Sequence, residues 1–345
     1  MKLFTALANL VRLRRAQRDR PLVNFALPAR ADIEPTTFCN FRCPHCPTSD
    51  EELGSARRHM TLAEFRSVLE ELPTVYRIKL VGLGEPLLNR EFFEMVREAR
   101  RRRVRVLTTT NGSLLDGERR RELLSCGLTT LNISVDAAKP ETHARLRPGS
   151  DLEEIGEGVA SLMRERGRRR RPAIRVWHVI QRESVAEIPD LVRRCVEWGV
   201  DGLLCTAKLT NFGLASLEAV VEGRRAVAED LGRVLPEAKA RASAAGLEFR
   251  CPQAPPPVRR PAEGRPCRWP WSRTFITAAG EVAPCPYARG PGGLVLGGLL
   301  GGEGQPGPGF AGRWNSKEMQ ELRERLREHR NPEFCRACYP GWAGG

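Results

Sequence analysis

The chain has 345 residues, 56 of them Lys or Arg against 42 Asp or Glu, for a formal net charge of +14. That length accommodates one large α/β domain and a smaller one, and no stretch of about 18 apolar residues is present to form a membrane span. Six lysines stand beside fifty arginines, a bias that codon composition produces by itself. The arginine runs at 100–103 and 168–171 fall at the ends of predicted helices, where cations complement the helix dipole. No aromatic-interleaved basic motif accompanies them, so nucleic acid is not an expected partner. An acidic small molecule would exploit the same charge. Eleven cysteines, several in C-x-x-C spacing, point to metal in a reducing compartment rather than to disulfides, and the expected location is cytoplasmic.

The opening M-K-L-F-T-A-L-A-N-L-V-R-L-R-R mimics a signal peptide, but Arg12, Arg14 and Arg15 follow the apolar run at once, with no polar cleavage region. It reads as an amphipathic helix suited at most to interfacial membrane contact. Residues 1–30 are then an N-terminal helical extension. Hydrophobic periodicity next alternates strand and helix: strands at 31–35, 75–83, 104–109, 128–135, 173–181 and 202–206, with helices at 61–72, 91–103, 118–126, 152–166 and 185–198 between them. Thr61 with Glu64 forms a capping box at the first of these helices. Such alternation predicts a parallel sheet with helices outside. A helical bridging region (213–250) and a proline-rich crossing at 251–266 lead to a C-terminal unit.

The first strand feeds I-E-P-T-T-F-C-N-F-R-C-P-H-C-P, with Cys39, Cys43 and Cys46 in C-x3-C-x2-C spacing. Three thiolates on one short loop can hold three corners of a 4Fe-4S cluster and leave the fourth iron without a protein ligand. A zinc knuckle completed by His45 or a distant cysteine is the alternative. Downstream runs weigh against zinc: K-L-V-G-L-G-E-P-L-L-N, L-T-T-T-N-G and L-N-I-S-V-D-A each end a predicted strand in small or polar residues. In a parallel (β/α) barrel, strand C-terminal ends line the active site.

The cysteine loop followed by Gly84-Glu85-Pro86, Thr110-Asn111-Gly112 and Ser134-Val135-Asp136 resembles the radical S-adenosylmethionine (SAM) enzymes, over residues 31–206. The resemblance implies a partial (β/α)6 TIM-type barrel, here spanning 31–212. It also implies a cluster on Cys39, Cys43 and Cys46 whose open iron chelates SAM, yielding a 5′-deoxyadenosyl radical that takes a hydrogen atom from substrate. Gly84, Glu85, Pro86, Asn111, Ser134 and Asp136 are by the same resemblance the SAM-binding residues, with Glu85 near the methionyl amino group. An imidazole at His45 would pack against adenine.

In the C-terminal unit (251–345), Cys267 and Cys285 flank two predicted short strands joined at Ala279-Gly280. A Gly/Pro-rich loop and a helix at 316–330 precede Cys335-Arg336-Ala337-Cys338. Tetrahedral zinc and 4Fe-4S both suit four such thiolates. The spacing, with R-W-N-S-K-E-M-Q-E-L-R at 313–323, resembles the SPASM extension or its shortened form, twitch, which implies an auxiliary 4Fe-4S cluster on Cys267, Cys285, Cys335 and Cys338 in a small cysteine-rich α+β domain. A fully ligated cluster has no iron open to substrate, so its expected job is to accept or relay an electron. The expected reaction is therefore oxidation or epimerisation of a sugar, aminocyclitol or similar polar metabolite, with flavodoxin or ferredoxin as external electron donor. Cys205, near the end of the sixth strand, is the candidate hydrogen-atom donor for epimerisation. The alternatives are a maturase of a ribosomally made peptide or protein and a non-enzymatic iron-sulfur or RNA-binding protein.

Overall fold

The structure is a computed structural model that describes residues 2–49, 57–207, 209, 219, 222–223, 228–252, 267–289, 292–300 and 309–335. After an N-terminal helix α1 (Lys2–Asp19), strand and helix alternate: β1 (Arg30–Ile33), α2 (Leu62–Glu71), β2 (Arg77–Leu80), α3 (Phe92–Arg101), β3 (Arg105–Thr110), α4 (Gly117–Ser125) and β4 (Thr130–Ser134). Two helices, α5 (Pro140–Leu146) and α6 (Leu152–Arg166), precede β5 (Ala173–Val179), followed by α7 (Ile188–Trp198) and β6 (Gly202–Thr206). These six parallel strands, each paired with the next, are the expected α/β core of a partial barrel.

Local chemistry sets the boundaries. Thr61 and Glu64 form the capping box that starts α2. Phe92, Met95, Val96 and Ala99 are buried along one face of α3, at helical spacing. Asp151 caps α6, and α7 ends on Gly199 in the left-handed conformation (φ 72°) that favours glycine. Along β1 and β2 burial alternates, with Ala31, Ile33, Ile78 and Leu80 in the core.

The sheet does not stop at six strands. Helix α8 (Ala228–Ala244) leads to β7 (Glu248–Arg250), which pairs parallel with β6. At the opposite edge, after α9 (Trp269–Ser272), β8 (Arg273–Ile276) pairs parallel with β1, and β9 (Val282–Ala283) turns back antiparallel on β8. The order is β7-β6-β5-β4-β3-β2-β1-β8-β9, nine strands in one sheet. Two helices, α10 (Phe310–Trp314) and α11 (Lys317–Arg327), follow in the described part of the C-terminal unit. The turn expected at Ala279-Gly280 is present, with Gly280 at φ 77°. The two short strands expected on either side of it are β8 and β9; only Trp269–Ser272, ahead of β8, is helical rather than extended, with Pro270 supplying the fixed φ of a first helical turn.

The N-terminal extension is tied to the C-terminal unit. Within the extension Asn9 exchanges two hydrogen bonds with the Leu27 backbone, while Asn24 exchanges two with Asn315 of the C-terminal unit. Arg323, fully buried, donates to the carbonyls of Leu22, Pro270 and Trp314 and to Asn315 Oδ1, with its guanidinium 4.9 Å from the Trp314 ring centroid. Burial without a carboxylate partner lowers its pKa to about 10. No helix among the described residues is long and apolar enough to cross a membrane.

Candidate active site

The loop after β1 carries Cys39, Cys43 and Cys46, and the loops after β2, β3 and β4 close around it. Gly84 N–H donates to Thr36 O (3.2 Å) and Glu85 N–H to Phe38 O (2.8 Å), so the Gly84-Glu85-Pro86 turn is fastened to the cysteine loop through backbone. A Cβ on Gly84 would lie 2.4 Å from Phe38 O and 2.6 Å from Thr36 O, a space only glycine fits. Asn89, at the end of the same run, donates to Pro35 O and Met60 O. The Phe38 ring lies 4.7 Å from that of His59.

Glu85 is 3% exposed. Its carboxylate accepts from Thr110 Oγ1 (2.7 Å), the Leu87 amide (3.1 Å) and the Asn111 amide (2.6 Å). Burial pushes its pKa up against these donors, which favour the charged form. Pro86 opens the short 3-10 turn behind it. Asn111 donates to Asn40 Oδ1 (2.8 Å) and accepts from the Ser113 amide and hydroxyl, while Asn40 donates to Ser113 Oγ. Thr110-Asn111-Gly112, with Gly112 at φ 83°, is thus locked to the residue that follows Cys39.

Ser134 lies buried at the end of β4. Two residues on, Asp136 is fully buried. It pairs with Arg147 Nε (2.8 Å) and accepts from the Val179 amide (2.9 Å). Burial pushes this carboxyl up, but Arg147, with His45 and His178, outweighs that and holds it below the ordinary carboxylate range. Arg147 itself acts on Cys43 and Cys46 as well as Asp136. Burial raises the Cys43 thiol to about 12, with Arg147 pulling the other way. His143, one turn earlier in α5, accepts from the Asp136 amide and is lowered to about 4 by burial and then by Arg147.

Arg147, His143 and Asn89 escaped sequence reasoning. Asn89 stood in plain view at the end of K-L-V-G-L-G-E-P-L-L-N. Arg147 was hidden in H-A-R-L-R-P-G, where nothing distinguishes it from the other arginines until α5 turns it back to Asp136. The loop beyond it also touches the cysteine loop, with the Arg42 amide donating to Pro148 O at 3.5 Å.

The donor set fits a cluster at this loop. The Phe41 amide points at Cys39 Sγ (3.5 Å), and Cys46 Sγ lies 3.0 Å from Thr48 Oγ1. These contacts and the Arg147 guanidinium suit a bound anionic thiolate cluster. Among the described residues no three His, Cys, Asp or Glu side chains are gathered as around a single metal ion.

In the C-terminal unit, Cys267 Sγ accepts from the Trp269 amide (3.5 Å). Cys285 precedes a 3-10 turn (Pro286–Arg289) and Cys335 ends another (Glu333–Cys335), and the two turns pack together. Cys338 lies outside the described residues. Arg289, in the first of those turns, forms a buried ion pair with Glu34 (2.7 Å; side chains 6% and 1% exposed), joining this unit to the root of the cysteine loop. Glu34 also accepts from the Leu83 and Ala278 amides. Cys205 is in the apolar core, in register with His178; burial and then the hydrogen-bonded Cys251 thiol raise it, and Cys195 acts on it too.

Residues 33–195 match the family model of the radical SAM superfamily, and residues 267–339 that of SPASM, an iron-sulfur cluster-binding domain. A tungsten-containing aldehyde ferredoxin oxidoreductase cofactor-modifying protein of Pyrococcus furiosus is 30% identical over 178 residues, 50% of this chain and 49% of its own length. A PqqA peptide cyclase of Bradyrhizobium diazoefficiens is 26% identical over 276 residues, 78% of this chain and 70% of its own. The chain thus spans about half the length of the first of these curated relatives. Among solved structures, Streptococcus suis SuiB bound to its precursor peptide SuiA has the same fold (TM-score 0.69, 14% identity, 94% of this chain and 73% of that one). The cysteine loop with its surrounding turns, and a second cysteine unit on the same sheet, are accordingly those of a chain that belongs to the radical SAM superfamily and carries a SPASM-type iron-sulfur domain.

Proposed function

We propose that this chain is a SAM-dependent radical enzyme that modifies a peptide. Cys39, Cys43 and Cys46 would hold the catalytic cluster, and Cys267, Cys285, Cys335 and Cys338 an auxiliary one. When bound together with SAM, such a cluster would supply the single electron that starts radical hydrogen abstraction from substrate. The observation that carries this reading is the closed ring of contacts around the cysteine loop: Gly84 and Glu85 on its backbone, Asn111 on Asn40, and the Asp136–Arg147 pair beside Cys43 and Cys46.

The chain's own residues have distinct tasks. Gly84, through its backbone, and Asn89, through its side-chain amide, fix the path of the loop. Glu85, already holding three donors, retains lone pairs for the SAM ammonium. Arg147 balances thiolate charge, and Asp136 orients Arg147. Ser134 and Asn111 border the same mouth. An auxiliary cluster would take or relay an electron, with an external one-electron donor reducing the enzyme.

A peptide takes precedence over the sugar or aminocyclitol expected from the sequence for one reason. The alignment to the peptide cyclase extends over 78% of this chain, whereas that to the cofactor-modifying protein extends over half. The test is 5′-deoxyadenosine formation by anaerobically reconstituted protein with SAM and dithionite, given the peptide fraction of the source cells with and without prior protease treatment. Stimulation that protease abolishes supports a peptide. Stimulation that survives it returns the substrate to the small-molecule class. No SAM cleavage, with both clusters present, counts against the enzyme reading as a whole.

A further inference from the structure

At the start of four neighbouring strands stand four arginines in register. Arg30 pairs with Arg273 on one side and with Arg77 on the other, and Arg77 pairs with Arg105. Alternation with the buried residues of β1 and β2 puts Arg30 and Arg77 on the face away from the helix layer, and the register of β8 on β1 puts Arg273 beside them. At a strand spacing of about 4.8 Å the row runs roughly 14 Å. Like charges directly opposite one another destabilise a sheet, yet no carboxylate among the described residues is in ion-pair contact with any of the four. Asp32, two residues along β1 on the same face, acts on Arg273 and Arg77 only at a distance, without ion-pair contact.

A cavity of about 290 Å³ opens on this row, between α1, α9 and the strand starts. Arg14, Arg30, Arg268 and Arg273 line it together with Tyr76 and Gln17, and no acidic residue does. Leu10 and Leu13 form an apolar wall. Arg273 lies 5.4 Å from the Trp269 ring centroid, and Arg30 Nε donates to Tyr76 Oη at 3.3 Å. Both contacts hold guanidiniums in place without neutralising them.

We propose that this arginine row and the cavity above it dock an acidic segment of the peptide that the enzyme modifies. The proposal rests on the peptide reading above. In an extended segment, side chains on one face recur about every 6.6 Å, so two or three carboxylates cover the row while an intervening apolar side chain meets Leu10 and Leu13. Bidentate guanidinium–carboxylate pairing supplies the affinity. The row lies at the strand starts, whereas the cysteine loop follows the strand end, roughly 10 Å away along β1. The docked segment is therefore a recognition element, several residues removed from the atom attacked.

The test uses the holoenzyme and three probes in fluorescence anisotropy: a labelled octapeptide of alternating Glu and Leu, its Gln counterpart, and a DNA oligonucleotide of equal charge. The Glu peptide should bind and the Gln peptide should not. Arg30→Gln/Arg77→Gln should weaken binding about tenfold or more while leaving Tm unchanged or raised, since repulsion in the row is relieved. Arg14→Gln/Arg268→Gln, off the sheet, repeats the test if the first pair loses its fold. Equal affinity of the Glu peptide for wild type and both variants overturns the site. So does an oligonucleotide that displaces the Glu peptide at lower concentration, which would make the row a phosphate-chain site. SAM cleavage with the peptide fraction of the source cells, measured in parallel, isolates the catalytic reading: its absence in wild type counts against that reading, not against the row.

Discussion

Gly84 shows how much one missing side chain decides. The Cβ of alanine would have to displace the backbone of Thr36 and Phe38, not a flexible side chain, so the cysteine loop itself must move. Gly84→Ala is expected to cost about 1–3 kcal/mol and to lower iron content after reconstitution, measured by urea denaturation and iron analysis. His143 makes a different prediction. Buried and lowered to about 4, against an ordinary 6.5, it is neutral in the fold, and the unfolded chain takes up the proton first. Its contribution is therefore complete above pH 6.5 and shrinks as pH falls toward 4, by up to about 3 kcal/mol. Urea midpoints should fall across that window, less steeply in His143→Asn; parallel slopes would refute this. Of the residues around the cysteine loop, the cysteines, Glu85 and Asp136 were legible because each lies in a contiguous motif. Arg147 and His143 were not, because their importance exists only once α5 folds back on Asp136.

Between elements, the Glu34–Arg289 pair joins the end of β1 to the turn that follows Cys285. Arg289→Ala leaves a buried carboxylate with two amide donors and no cation, a loss of about 3–5 kcal/mol. Arg289→Ala with Glu34→Gln should recover part of it. If the single variant is as stable as wild type in urea, the pair does not hold the units together. The barrel elements themselves were readable from periodicity, since each strand is bounded by turn residues and each helix keeps an apolar face. Four short elements escaped, α10 (Phe310–Trp314) among them. Helix α5 is seven residues long, and its one signal is the Lys139-Pro140-Glu141 start. Strand β7 has three residues, too few to show alternation. Trp269–Ser272 looked extended because its residues are bulky, but Pro270 belongs at a helix start.

For the whole molecule, the decisive feature is that β8 continues the barrel sheet beside β1. No sequence pattern announces which edge a distant strand will join, since pairing depends on shape far from either segment. Removing residues 253–345 would expose the whole edge of β1 and strip Asn24, Leu22 and Ala26 of their partners in the C-terminal unit. An uncovered edge invites pairing between chains, so the truncated protein should elute as aggregate in size-exclusion chromatography. A monodisperse monomer would mean the barrel stands alone.

Parallel pairing of β8 with β1 also imposes a timetable. Arg273 follows its register partner Arg30 by about 240 residues, and at ribosomal rates of about 5–20 residues per second the interval is on the order of 10–50 s. During it the cysteine loop is complete but Arg289 has not arrived to seal Glu34 at its root. We expect this to be the window in which iron and sulfide reach the loop most readily. Nascent chains arrested before Cys267 should take up radiolabelled iron faster than finished apoprotein, and equal rates would show that delivery can wait for release.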